Sequence, residues 1–178
     1  LGLHVTGKTV GIIGMGRIGE AIARRCHFGF GMRVIYYNRS ARSVEFDAEQ
    51  MGRIEDVAAV ADFVVAAVPG GAETRHLIDA DMLSAMKPTS HLVNISRGDV
   101  VDEAALITAL QERRIAGAGL DVYEHEPQVP GALMAMENVV LLPHLGTAAL
   151  EVREAMGLKA VENLRAFFDG ETPPDRVT

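Results

Sequence analysis

The sequence has one cysteine, Cys26, no tryptophan, and only 5% aromatic residues. A lone cysteine excludes an internal disulfide and supplies no metal cluster, which suits a reducing, cytoplasmic setting. No metal site is expected. A basic block is also missing. Acidic side chains number 24 against 17 basic ones, giving a net charge of −7. Nucleic acid is therefore not an expected partner, and any bound phosphate must be held by local groups rather than by a global positive field. No apolar run approaches bilayer-spanning length and no signal peptide is evident, so no membrane partner is expected. The chain opens on Leu1 rather than Met and reaches its first motif almost at once. It reads as a piece of a longer protein.

What is present is an ordinary globular composition, 48% hydrophobic and 23% charged over 178 residues. That length fits one domain with a sizeable core. The organising stretch is 9–19, TVGIIGMGRIG. A short apolar run, Val10 to Ile13, enters Gly14-x-Gly16-x-x-Gly19 and then an amphipathic run through Ala21, Ile22 and Ala23. Strand, glycine turn and helix in that order are what a dinucleotide pyrophosphate requires. Gly14 permits the tight turn, Gly16 lets backbone approach the phosphates, and Gly19 lets the helix lie close on its strand. The free N–H groups of the first helical turn then face the anion, aided by the helix dipole.

Further along, a helix is expected over 17–28, with Cys26 a small packing residue, and a strand over 33–37. A NAD site usually places an acid at the end of that second strand, to bind the adenosine ribose hydroxyls. Here Asn38-Arg39-Ser40 stands instead. Arg39 can pair with a 2′-phosphate and Ser40 can donate to it, which points to NADP(H), with NAD still possible. The plainer reading of Arg39 is a solvated loop residue. A short helix is expected over 47–60, strands over 62–68, 91–95, 117–122 and 139–142, and helical turns over 72–86. A helix over 101–113 takes Asp102 as N-cap. A long last helix, capped by Thr147, carries Leu150, Met156, Ala160, Leu164 and Phe167 on one stripe. Strands alternating with helices, many as continuous apolar runs, give an α/β fold. The expected architecture is a Rossmann-type doubly wound parallel sheet of six to seven strands with helices on both faces.

In such a sheet ligands bind at the carboxyl ends of the strands. Arg97, Glu126 and His144 fall at or just beyond such ends. Hydride transfer to a 2-keto acid needs a fixed cation for the substrate's carboxylate and carbonyl, which suits Arg97. It needs an acid for the developing alkoxide, which suits His144, and a carboxylate such as Glu126 to orient the ring and favour imidazolium. Taken singly, Arg97 also reads as a structural ion pair, Glu126 as a solvated acid and His144 as a core histidine.

The blocks Gly14-Met-Gly-Arg-Ile-Gly19, Ser96-Arg-Gly-Asp-Val-Val-Asp102, Gly119-Leu-Asp-Val-Tyr-Glu-His-Glu-Pro127 and Pro143-His-Leu-Gly146 resemble the ordered signatures of the D-isomer-specific 2-hydroxyacid dehydrogenases. Residues 23–32 (ARRCHFGFGM) and the Asn-Arg-Ser turn are most similar to the glyoxylate/hydroxypyruvate/2-ketogluconate reductases, which favour NADPH. The resemblance implies that Arg97 binds a small 2-keto acid, that Glu126 partners the general acid/base His144, and that Asp121 lies near the nicotinamide carboxamide. It places Arg17 and Ile18 on the pyrophosphate, with Val68, Pro69, Ser96 and Gly146 also facing the cofactor. It further implies a homodimer, a second substrate domain built mainly from residues ahead of the glycine turn, and a last helix (about 147–169) that returns to that domain. The alternatives are a non-catalytic NAD(H)-sensing scaffold of the corepressor type and, from another class, a methyltransferase on the same sheet.

Overall fold

Val10, Ile12 and Ile13 are all within 1% of complete burial, and successive side chains of a strand point to opposite faces. Both faces of the strand they form must therefore be covered. The computed structural model describes residues 3–176. In it, β1 (Thr9–Ile13), β2 (Arg33–Tyr37), β3 (Ala48–Gln50), β4 (Phe63–Ala66), β5 (His91–Asn94), β6 (Gly117–Leu120) and β7 (Val139–Leu141) make one sheet in the order β3-β2-β1-β4-β5-β6-β7. Every pairing is parallel. This is the expected doubly wound α/β fold, at the upper end of the expected strand count. Ile12, Val34 and Val65 pack on one face with Ala23 of α1 (Arg17–Phe30). Ile13, Ile35 and Val64 pack on the other, with Val57 of α2 (Ile54–Val60), Met82 of α3 (Ala80–Ala85) and Leu106 of α4 (Glu103–Gln111). The short α5 (Gly131–Met134) adds Leu133 to the second face.

The register fixes where the ligand edge lies. Tyr37, Ile13, Ala66, Asn94, Leu120 and Leu141 pair across the sheet in one row. The residues just past that row begin the loops in which the sequence places its site. The order turns back between β1 and β4, so their outgoing connections diverge and leave a crevice.

Several expected boundaries move. The segment 47–60 is not one helix: Ala48–Gln50 pairs with β2 as an edge strand before α2 begins. An edge strand has only one partner to satisfy, so Ala-Glu-Gln forms it without an apolar run. α1 continues through Gly29 to Phe30, because His27 and Phe28 ring contacts to Phe46 give its last turn something to pack on. Gly31 then ends it at φ 60°, its N–H donating to the His27 carbonyl at 2.9 Å. Asp102 caps α4 as expected, accepting from the Ala105 N–H at 3.0 Å. Thr147 does not cap the last helix. That helix, α6 (Leu150–Phe168), starts after Ala149, and the Thr147 carbonyl accepts from Arg153 Nε instead.

The chain divides into two units, Leu1–Pro143 and His144–Thr178. Within the second, none of the 19 residues of α6 is buried, and its apolar side chains, Leu158 and Phe168 among them, are not confined to the expected stripe. No helix of the described residues is long and apolar enough to cross a membrane.

The opposite, amino edge of the sheet is closed by Asp62. Its carboxylate accepts from the Thr9 N–H at 2.9 Å and from Lys87 Nζ at 3.0 Å. Its backbone N–H donates to the Thr9 carbonyl and its carbonyl accepts from the His91 N–H. One residue thus ties β1, β4 and β5. Burial pushes its acid constant up, but the Thr9 and Lys87 hydrogen bonds outweigh that and hold it below the ordinary carboxylate value. A depressed folded-state constant contributes stability that is present above the unfolded constant, near pH 4, and is lost as the pH falls through the folded one. Asp62→Ala should cost about 1.5–3 kcal/mol at neutral pH. Denaturant unfolding should show this difference shrinking steadily below about pH 4.

Candidate functional site

The glycine turn is built by close approach. Gly14 takes φ +99°, and a Cβ there would lie 2.7 Å from the Ala67 carbonyl oxygen and from Val68 Cγ1. A Cβ on Gly19 would overlap the Gly14 carbonyl and press on Ile12. Bare Gly19 is what lets α1 lie directly on the exit of β1. Gly16 differs, because nothing stands within 4 Å of where its Cβ would be. It is the N-cap of α1 and offers no side-chain cap, so the N–H groups of the first turn open onto that free space. A pyrophosphate fits this cradle: open backbone, a 14-residue helix pointing its amino end at it, and no side chain in the way.

Two hollows, each of about 360 Å³, meet over Gly16, Ala67, Val68 and Pro69. The first contains Asn38, Arg39 and Ser40, as expected, together with Tyr37, Arg42, Glu73, Thr74 and Leu77. Asn38 acts mainly as a brace. Its Oδ1 accepts from the Met15 N–H at 3.2 Å, its Nδ2 donates to the Ser40 carbonyl at 2.8 Å, and its own carbonyl accepts from Gln50 Nε2. The glycine turn and the basic turn are therefore tied to each other. Arg42 is a second cation of this hollow that the sequence reading missed. Buried Tyr36 holds it, its hydroxyl accepting from the Arg42 N–H at 3.3 Å. The dense NRSAR string was the available signal. Arg39 Nη1 meets Glu73 Oε2 at 2.6 Å, with both side chains about four-fifths exposed. An ion pair that open to water is worth only about 0–1 kcal/mol, so Arg39 is readily drawn to another anion.

The second hollow contains Arg17, Ile18, Ser96 and Arg97. Asn94 shapes the turn after β5, taking the Ser96 N–H and hydroxyl on Oδ1 and donating to the Arg97 carbonyl at 2.9 Å. Arg97 is exposed, its stem lies against Gly70, and Nη1 donates to the Ser96 carbonyl at 2.7 Å. Gly98 follows, and a Cβ there would overlap the Tyr123–Glu124 backbone. The Arg97 segment is thereby pressed against the loop after β6. Asp121 is buried there, and Glu126 accepts from the Tyr123 N–H at 3.1 Å. Tyr123 donates to the Leu142 carbonyl at 2.9 Å, and burial pushes its phenol constant up. Glu124 is held below the usual carboxylate range, first by its hydrogen bond from His76 and further by Arg75. Asp121 and Glu126 line neither hollow. His144 and Gly146 open the second unit. His144 takes φ 56°, a left-handed conformation that His76 and Arg113 also hold. No group of three or more metal-ligating side chains occurs among the described residues.

The glycines give a sharp contrast to test. Gly19→Val should lower Tm by about 5 °C or more through overpacking. Gly16→Ala should leave Tm within about 2 °C yet weaken dinucleotide binding at least about tenfold, because its Cβ enters only the space the phosphates would take. Calorimetry and cofactor fluorescence on both variants decide it.

The family model for the D-isomer specific 2-hydroxyacid dehydrogenase NAD binding domain matches residues 1–146. A glyoxylate reductase of Pyrococcus furiosus is 52% identical over 180 residues, covering 99% of this chain and 53% of its own length. The NADPH-dependent glyoxylate/hydroxypyruvate reductase of Sinorhizobium meliloti, solved in complex with NADP and malonate, is 44% identical with a TM-score of 0.88 over 97% of this chain and 56% of that one. A D-mandelate dehydrogenase of Rhodotorula graminis reaches a TM-score of 0.92 at 36% identity, covering 99% and 53%. The chain spans about half the length of the relatives it matches. With the glycine cradle, the parallel sheet and the ordered motifs all in place, the chain belongs to the D-isomer specific 2-hydroxyacid dehydrogenases, and residues 1–146 match their NAD-binding domain.

Proposed function

We propose that this chain is the cofactor half of an NADPH-preferring reductase of a small 2-keto acid, acting as a homodimer in the cytoplasm. Glyoxylate, hydroxypyruvate and 2-ketogluconate are the candidate substrates. The observation that carries the reading is the pair of hollows meeting over Gly16, with Arg39, Ser40 and Arg42 lining one and Arg97 the other. That arrangement suits a molecule with a phosphorylated adenosine end and a reactive end beside a cation. A bound nicotinamide would supply the hydride.

The chain's own residues do the rest. Gly16 and the first turn of α1 take the pyrophosphate charge, as helix amino ends do. Arg39 and Arg42 take the 2′-phosphate, and a guanidinium fork suits its oxygens better than a point charge would. Arg97 holds the substrate carboxylate and polarises its carbonyl, and the Asn94-shaped turn keeps its backbone in place. His144 gives the proton to the developing alkoxide, and Glu126 is the carboxylate assigned to partner it.

In the full-length protein, His144→Ala should lower turnover of glyoxylate or hydroxypyruvate about 10²–10⁴-fold with NADPH binding near normal. Unchanged turnover would refute the catalytic assignment. Titration followed by cofactor fluorescence should give NADPH at least about tenfold tighter binding than NADH, or about 1.4 kcal/mol. Equal affinities would make Arg39 a bystander.

A further inference from the structure

The end of β2 lacks the acid that NAD sites use for the adenosine ribose, but the hollow beside it does not lack a carboxylate. Glu73 reaches it from the loop after β4 and meets Arg39 at 2.6 Å. The backbone next to it is anchored locally. Thr74 Oγ1 donates to the Pro69 carbonyl at 2.7 Å, and the Thr74 N–H donates to the Gly71 carbonyl at 3.1 Å. The loop backbone beside Glu73 is thereby anchored, and its carboxylate reaches the basic turn through the Arg39 pair.

We infer that Glu73 is a specificity-determining residue of the adenosine site, the carboxylate that opposes NADPH and favours NADH. The inference rests on the reading of the 38–42 turn as the place of the 2′-phosphate. That phosphate carries close to two negative charges at neutral pH. To bind it, Arg39 must turn away from Glu73, and the carboxylate that remains repels the incoming group. A ribose with a free 2′-hydroxyl brings no charge and offers an O–H donor, which a carboxylate accepts in a short, charge-assisted bond. Arg39 and Glu73 are thus opposed selectors in one hollow. Because the pair is exposed, its opposition is worth several-fold in affinity rather than orders of magnitude.

The test is a titration of the full-length wild type, Glu73→Gln and Arg39→Ala with NADPH and NADH. It is repeated with adenosine 2′,5′-bisphosphate and AMP to confine the readout to the adenosine end. Glu73→Gln should tighten NADPH and the bisphosphate about three- to tenfold and weaken NADH and AMP by about two- to threefold, and the difference should shrink in 0.5 M salt. Unchanged ratios, or equal weakening of both dinucleotides, would overturn the assignment of Glu73. Arg39→Ala separates the two levels. If it weakens NADPH tenfold while Glu73→Gln changes no ratio, only the role of Glu73 falls. If it leaves NADPH binding unchanged, the phosphate reading falls and takes this inference with it.

Discussion

The carboxyl edge of this sheet depends on one bare position, Gly19, where any side chain would collide with the Gly14 carbonyl. Because it is bare, α1 sits directly over the exit of β1 with its unsatisfied N–H groups at the crevice. The turn this forces puts the Met15 N–H within reach of Asn38, and Asn38 in turn holds the Ser40 backbone. The anion cradle and the basic hollow are therefore consequences of a single close approach. Neither could be moved without the other.

The same edge bears on how an acidic chain holds an anionic ligand. With a net charge of −7, no long-range field draws a phosphate in, and at physiological salt such a field would fade within about 8 Å. On the proposed reading, selection comes from groups in contact: backbone N–H groups over Gly16, and the guanidinium groups of Arg39 and Arg42. On the same reading a carboxylate at contact range, such as Glu73, works against the cations.

Strand and helix identities were legible wherever burial wrote them as apolar runs, as in β1, β2 and β4, or wherever a cap wrote them as Asp102. The edge strand β3 was not, because Ala48-Glu49-Gln50 is held by one neighbour's backbone and needs no apolar signature. Thr147 misled as a cap since a threonine before an amphipathic run is common, and only geometry shows that Ala149 takes that position. The two hollows could be anticipated from Gly14, Gly16, Arg39 and Arg97, each fixed by a strand end. Glu73 and the Gly98 contact could not, because each depends on which loops fold toward each other across the crevice, and local pattern does not encode that.

Asp62 binds the strands at the amino edge, while the glycine turn, Arg39 and Arg97 stand at the carboxyl edge, about 15 Å away along a five-residue strand. Changes so far apart add rather than interact. The loops over the crevice can therefore be rewritten while the fastening beneath them stays whole. The separation of the two edges gives a physical reason why one sheet can be inherited by enzymes named for different acids.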